Sequence, residues 1–387
     1  MIIQVINLSE NDVFKYYCRK YDISEGRYSY GLYGLEVRGL SSELAKSLFN
    51  HISNNGARVY VAVNDRASNI FLMGSIRRIK KITKSISKDS LQKFSIKFFN
   101  TINFFENYNL TSFNIGNKNF SFKNSYIMGI LNVTPDSFSD GGKYDKTMKA
   151  IERGLEMIEQ GADIIDIGGE SSRPGAEPVD LKTELYRVIP VIRGILTKNP
   201  DAIISVDTKK KLVAEMALKE GAKIINDISG LTADPSIIKL LAEYDAVPVI
   251  MHMKGSPKTM QDNPVYNNVV EEVYDFLAHQ SKKASKAGLR NMFIDPGIGF
   301  GKRLEDNYTL LRRLDDFKSL SYPIVIGVSR KSFIGETLNL NVDERDIPTS
   351  MVESYALSKG ARILRTHNVK YGVQLKELFN RINNTVV

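Results

Sequence analysis

From Tyr126 onward the chain repeats one pattern eight times: a short apolar run ending in polar or small residues, then a stretch with helical spacing. The runs are YIMGILNVTPDS (126–137), ADIIDIGGESSRPG (162–175), AIISVDTKK (202–210), AKIINDISG (222–230), AVPVIMHMKG (246–255), MFIDPGIGFGK (292–302), YPIVIGVSRKS (322–332) and ARILRTHNV (361–369). Each is continuously apolar rather than alternating, as strands buried on both faces are. Amphipathic segments such as TMKAIERGLEMIEQ (147–160), KKLVAEMALKEG (210–221) and VVEEVYDFLAHQSKKASKAG (269–288) lie between them. Eight such units in about 260 residues predict a closed (β/α)8 TIM barrel over residues 125–387. A doubly wound open sheet is the structural alternative.

The first third reads differently. SSELAKSLFNHISNN (41–55) has the apolar spacing of a helix and a serine cap. ARVYVAV (57–63) and NIFLMGS (69–75) read as strands, and IRRIKKITKSISK (76–88) as a helix with Arg77, Arg78, Lys80, Lys81 and Lys84 off its apolar face. SLQKFSIKFFNTINFF (90–105) reads as a connecting helix. TSFNIGNKNFSF (111–122) alternates on either side of Gly116-Asn117, a β-hairpin pattern placed to cover the N-terminal mouth of the barrel. The expected division is a small basic α/β domain with its connecting helix over 1–104, a linker and capping hairpin over 105–124, and the barrel over 125–387.

Charge follows the same division. Residues 1–124 hold 18 Lys and Arg against 9 Asp and Glu, so the whole net charge of +9 lies there and the remainder is balanced. Basic clusters can mark anionic partners, but a solvated helix face is the ordinary reading, and nucleic acid is not expected as a partner. No apolar stretch approaches the length of a membrane span. The start, MIIQVINLSENDVFKYY, lacks a basic segment followed by an apolar one, so secretion is not expected. The lone Cys18 excludes an internal disulfide and any multi-cysteine metal site, which suits a reducing cytoplasm.

In such barrels the reacting groups sit at the C-terminal ends of the strands. Those positions carry Asn132, Asp136, Ser171, Ser172, Arg173, Asp207, Asn226, Asp227, His252, Asp295, Lys302, Ser329, Arg330, Lys331, Arg365 and His367. Asp207, Asn226 and Asp295 terminate apolar runs and would point into a dry cup, where they match a flat heterocycle with several N–H donors. Lys331, Arg365 and His367 lie on the last two units, where barrels commonly bind phosphate, and Arg is the best-shaped phosphate ligand. Each residue alone has an ordinary reading: an Asp or Asn at a strand end is a turn former or helix cap, and Lys331 fits the first turn of a helix. Gly297-x-Gly299-x-Gly301-Lys302 lacks the P-loop spacing and is read as a flexible loop. His252 and His367 show no metal-ligand spacing, and no G-x-S-x-G elbow marks a serine hydrolase.

Taken together, MGILNVTPDSFSDGG (128–142), DIGGESSRPGA (166–176), SVDT (205–208), INDISG (225–230), MHMKGSPKTMQ (251–261), DPGIGFGK (295–302), GVSRKSFIG (327–335) and RTH (365–367) resemble, in order, the motifs of the dihydropteroate synthase family. These are folate-pathway enzymes that sulfonamides inhibit. The resemblance implies a barrel that joins 6-hydroxymethyl-7,8-dihydropterin diphosphate to 4-aminobenzoate and releases pyrophosphate. It implies pterin contacts at Asp207, Asn226, Asp295 and Lys331, and diphosphate contacts at Arg365, His367 and Ser172. It further implies a Mg2+ ligand at Asn132, and Asp136 and Arg173 on two mobile loops that close over the site, Arg173 also reaching the aminobenzoate. Phe300, Lys302 and Ser329 would border the aminobenzoate. The catalytic set is then Asp136, Arg173, Lys331, Arg365 and His367, and a homodimer is expected. Ser172 stands where threonine is frequent, Ile298 where phenylalanine is frequent, and RTHN replaces R-V-H-D. The segment around GLSSELAKSLFNHISNNGARVYVAV resembles an N-terminal extension found in some members. Two alternatives differ in the anion end. A methyltetrahydrofolate-type methyltransferase barrel should lack the RTH and SRKS groups, and a non-catalytic pterin-binding scaffold should have lost Lys331, Arg365 or the loop residues Asp136 and Arg173.

Overall fold

The computed structural model describes residues 1–23, 31–53, 59–63, 68–86, 91–108, 111–134, 143–171 and 175–385. The chain folds as two compact units, Met1–Tyr108 with Asp315–Ser321, and Asn109–Leu314 with Tyr322–Val387.

The first unit contains β1 (Ile2–Asn7), α1 (Asn11–Lys20), β2 (Tyr33–Leu40), α2 (Ser42–Ser53), β3 (Val59–Val63), β4 (Ser68–Gly74), α3 (Ile76–Lys84) and α4 (Gln92–Glu106). Its strands form one antiparallel sheet in the order β1-β2-β4-β3. Successive side chains on a strand point to opposite faces, and both faces are covered. Val5, Leu35, Val37, Ile70 and Leu72 pack against α2, α3 and α4 through Leu48, Ile79, Phe98 and Ile102. Ile6, Leu8 and Phe71 pack against α1 through Val13, Phe14 and Tyr17, with Tyr17 stacked on Phe71 at 5.2 Å between ring centroids. β1, α1 and β2 are not visible as elements in the sequence. β2 hides because Glu36 and Arg38 interrupt its apolar residues, yet both are buried and paired, Glu36 also taking Lys20 at 2.8 Å and the Tyr21 hydroxyl at 2.7 Å. Asp315–Ser321, inside the span expected to be barrel, belongs to this unit because Asn7 bonds Asp315 and Asp316 at 3.0 and 3.1 Å and the Val5 amide donates to Ser319.

The second unit opens with a hairpin, β5 (Ser112–Ile115) and β6 (Lys118–Ser121), turning at Gly116-Asn117. Then come β7 (Tyr126–Asn132), α5 (Lys143–Glu159), β8 (Ile164–Gly168), α6 (Leu181–Lys198), β9 (Ile204–Asp207), α7 (Lys211–Lys219), β10 (Ile224–Asp227), α8 (Ile237–Glu243), β11 (Val247–Met251), α9 (Val269–Lys286), β12 (Phe293–Asp295), α10 (Leu304–Arg312), β13 (Ile324–Ile326), α11 (Ser332–Leu338), α12 (Asp346–Ser358), β14 (Ala361–Thr366) and α13 (Val369–Asn384). Strands β7 to β14 close a parallel barrel in sequence order, β14 returning to β7. Local chemistry starts the helices: Asp180 caps α6 by accepting from Thr183 N–H, and Asn268 caps α9 by accepting from two amides. The bottom of the barrel is filled by Met128, Ile164, Ile203, Ile224, Val247, Phe293, Val325 and Ile363. The hairpin's Ile115, Phe120 and Phe122 belong to the same apolar cluster, so the hairpin closes the N-terminal mouth. Everything chemical must therefore enter from the other end.

Candidate active site

Above that apolar layer the inward side chains turn polar on five of the eight strands, β8, β9, β10, β12 and β14, while Met128 is followed by Ile130, Val247 by Val249 and Val325 by Gly327. Ile164 is followed by Asp166, Ile203 by Ser205 and Asp207, Ile224 by Asn226, Phe293 by Asp295, and Ile363 by Arg365 and His367. The period of two that builds the core thus delivers a polar cup above it.

Arg365 crosses the floor of the cup. Its Nε lies 2.6 Å from Asp166 Oδ2 and its terminal nitrogen 2.7 Å from Asp207 Oδ2. Asn226 Nδ2 donates to the same Asp166 oxygen at 3.0 Å. Burial pushes the Asp207 carboxyl up to about 7 against the pull of Arg365, with Asp166, Glu184 and Asp227 adding to the rise. Asp295 accepts from Gly297 N–H at 2.7 Å, and burial raises its carboxyl against that bond and the charges of Lys331, Arg365 and Lys302. Lys331 precedes the first turn of α11 and sets its Nζ 3.8 Å from the centroid of the Phe300 ring. Burial lowers its ammonium to about 7, with Asp295 opposing.

Beside these groups opens a cavity of about 540 Å³, large enough for a small-molecule ligand. Asn132, Ser171, Phe300, Ser329, Lys331, Ser332, Arg365 and His367 are among its lining residues. His367 and Ser329 are joined, the ring Nδ1 lying 2.9 Å from the hydroxyl and the His367 amide donating to it at 3.1 Å. The lining combines Ile130, Met260 and Phe300 with Lys331, Arg365 and His367, so it offers contacts both to a planar ring and to an anion.

The comparisons with known proteins agree with this arrangement. A family model described as "Pterin binding enzyme" matches residues 128–367. The chain belongs to the pterin-binding enzyme family. It is 44% identical over 256 residues to the dihydropteroate synthase of Synechocystis sp., covering 65% of this chain and 88% of that one. The Yersinia pestis dihydropteroate synthase, solved as a sulfonamide drug complex, superposes with a TM-score of 0.67 at 37% identity over 71% of this chain and 100% of that one. The Thermus thermophilus enzyme, solved in complex with 4-aminobenzoate, superposes with a TM-score of 0.64 at 36% identity over 70% and 100%.

Membership of the pterin-binding family directs attention to the positions named from sequence. Asn132, Phe300, Ser329, Lys331, Arg365 and His367 border the cavity. Asp207, Asn226 and Asp295 are buried at the strand ends. Asp136, Ser172 and Arg173 lie outside the described residues. Lys302 is 2% exposed and is not among the cavity's lining residues. Its Nζ lies 3.0 Å from His252 Nδ1, 3.0 Å from Phe300 O and 3.3 Å from His252 O, which ties two loops together. Burial takes Lys302 down to about 7 and, with the Lys302 charge beside it, His252 down to about 2, so the imidazole is neutral.

The glycine-rich loop is a packed element rather than the flexible one expected. A Cβ on Gly297 would stand 1.9 Å from His252 O, and one on Gly301 2.3 Å from Lys254 O. Both residues also have positive φ, +68° and +61°, so glycine is required twice over. Sequence reasoning missed Asp166, which lies inside its strand rather than at the end, and Ser332, Met260 and Arg345, which line the cavity. The structure also shows what Asn368 does in place of a carboxylate. Its side chain caps α13 by accepting from Tyr371 N–H and donates to Asp346 Oδ2 at 3.0 Å, while Asp346 also pairs with Arg330. An aspartate there would face a second carboxylate.

Proposed function

We infer that the chain catalyses the dihydropteroate synthase reaction, condensing 6-hydroxymethyl-7,8-dihydropterin diphosphate with 4-aminobenzoate to give 7,8-dihydropteroate and pyrophosphate. The observation that carries this is the pairing, at one barrel mouth, of buried acceptors at Asp207, Asn226 and Asp295 with the basic side chains Lys331, Arg365 and His367. A methyl-transferring barrel has no use for the second set.

The residues divide the work. Asp207, Asn226, Asp295 and Lys331 receive the pterin. Arg365 and His367, with Ser172, hold the diphosphate, where fixed positive charge favours the transition state in which the methylene–oxygen bond breaks and the electron pair leaves with pyrophosphate. The electron-rich ring stabilises the cation left on the methylene, an SN1-like course. The arylamine is neutral at pH 7, so its lone pair forms the new C–N bond without a strong base, and the amine proton is lost afterwards to solvent or the leaving group. Phe300 and Ser329 position the aminobenzoate. Lys302 supports that wall from behind rather than touching the ring, and Asp136 and Arg173 complete the catalytic set.

Asn132 suits a magnesium ion. Among the described residues no group of three or more His, Cys, Asp or Glu could hold a metal, and Mg2+ keeps several waters and binds through substrate phosphates rather than in an all-protein cage. Asn132 would hold it against the diphosphate, and the ion would neutralise leaving-group charge. Exposed Ile347 and Met351 on α12, and Leu378 and Ile382 on α13, support a homodimer. A cytoplasmic location is proposed from the lone buried thiol of Cys18; among the described residues no helix is long and apolar enough to cross a membrane. The test is a coupled pyrophosphate-release assay with both substrates and Mg2+: release that requires both supports the assignment, and none with a folded protein overturns it.

A further inference from the structure

Asp166 lies in the middle of β8 and is wholly buried. One of its oxygens accepts from Arg365 Nε at 2.6 Å and from Asn226 Nδ2 at 3.0 Å. The other, Oδ1, has no partner among the described residues, and neither has the hydroxyl of Ser205, its register neighbour on β9. Among the described residues, the hydrogen bonds that compensate the buried charge therefore come from Arg365 and Asn226 alone.

We propose that Asp166 is a positioning residue that fixes, through one carboxylate oxygen, both the Asn226 amide and the Arg365 guanidinium, so that the pterin-edge group and the diphosphate group share one anchor. This rests on the dihydropteroate synthase reading. The chemistry is directional. With its N–H directed at Asp166, Asn226 turns its carbonyl oxygen the other way, as an acceptor. With Nε held by Asp166, Arg365 keeps its outer nitrogens for an anion; the one resting on Asp207 exchanges when a diphosphate arrives, whereas the Nε bond does not compete with it. An asparagine at 166 would present either a donor to the Asn226 amide, which then flips and faces the pterin as a donor, or a neutral oxygen in place of the charge that aligns Arg365.

The test uses the full chain and two probes measured separately by calorimetry, a simple pterin without diphosphate and inorganic pyrophosphate with Mg2+. The wild type binding neither would refute the functional reading itself. Given wild-type binding, Asp166→Asn is expected to weaken both probes by about tenfold or more, with the kcat/KM for the pterin diphosphate falling further than either. A loss confined to one probe, or no loss, overturns the shared anchor. Arg365→Lys supplies the control: adding Asp166→Asn to it should cost little further pyrophosphate affinity but the full pterin effect, and additive pyrophosphate losses contradict the proposal. If Asp166→Asn does not fold, Asp166→Glu keeps the charge and displaces the oxygen by one methylene, and the same joint weakening is required of it.

Discussion

Replacing Asp295 by asparagine separates the heterocycle end of the site from everything else. The carboxylate ends β12, and its Oδ1 already accepts from Gly297 N–H at 2.7 Å. That leaves Oδ2 and the remaining lone pairs for a ligand, and a dihydropterin presents an exocyclic amine and a ring N–H on one edge. Asparagine preserves the shape and keeps the Gly297 bond, but its NH2 then faces a ligand donor. The loss is one charge-assisted bond plus one unsatisfied buried donor, about 2–4 kcal/mol, or on the order of 30- to 1000-fold in pterin affinity. Stability should barely change, because burial of the carboxylate is itself unfavourable and raises its pKa, and the substitution removes that burden while giving up attraction to Lys331, Arg365 and Lys302. Calorimetric titration of a simple pterin, run beside thermal melting, reads both quantities. Normal pterin binding by Asp295→Asn, or its failure to fold, would show that Asp295 is structural and that the ligand edge lies elsewhere.

Arg365→Ala should lower kcat/KM for the pterin diphosphate by about 10- to 150-fold, the range of one charged contact, and should lower the melting temperature because Asp166 and Asp207 lose their partner; unchanged steady-state kinetics would refute its role. Glu353, buried in α12, is pushed up to about 8 by its burial, so the folded protein keeps it protonated where the unfolded chain, near 4.5, ionises. Stability therefore falls as pH rises through that window, by up to about 1.4 kcal/mol per unit, and Glu353→Gln should flatten the fall and gain over the wild type at pH 8 relative to pH 5 in chemical denaturation. A chain beginning at Phe105 removes the partners of Asp315, Asp316 and Ser319, so it should melt lower yet keep most of its kcat in the pyrophosphate assay; an inactive but folded product would place residues 1–104 in the site.

What is legible in the sequence follows how continuous its periodicities are. Eight runs such as DIIDIGG and IVIGVS are dominated by apolar residues on both faces, because helices cover one face and the barrel interior lies on the other, and all eight are strands of the closed barrel. Tyr33–Leu40 obeys the same physics but buries a charge pair on its second face, so its pattern breaks where Glu36 and Arg38 stand, and only the folded sheet reveals that the two charges meet each other and that Glu36 also meets Lys20. Asp315–Ser321 is unreadable for a different cause. Its partners, Val5 and Asn7, are more than three hundred positions away, and no local rule links them.

The site shows the same boundary from the chemical side. Residues that end an apolar run announce themselves, since a polar group there needs a reason, and Asp207 and Asp295 are found that way. Asp166 is flanked by isoleucines and looks like part of a buried strand, yet its inward direction follows from the same alternation that places Ile164 in the core two residues earlier. A carboxylate at such a position cannot persist alone in a dry interior, and the sequence holds the remedy at Arg365, on the strand that closes the barrel beside β7. The two meet because the barrel is closed: in an open sheet of the same strand order, β8 and β14 would lie at or near opposite edges and the buried charge would be unpaired. The ion pair across the cup is thus tied to ring closure, and the fold that positions the chemistry is in part held by it.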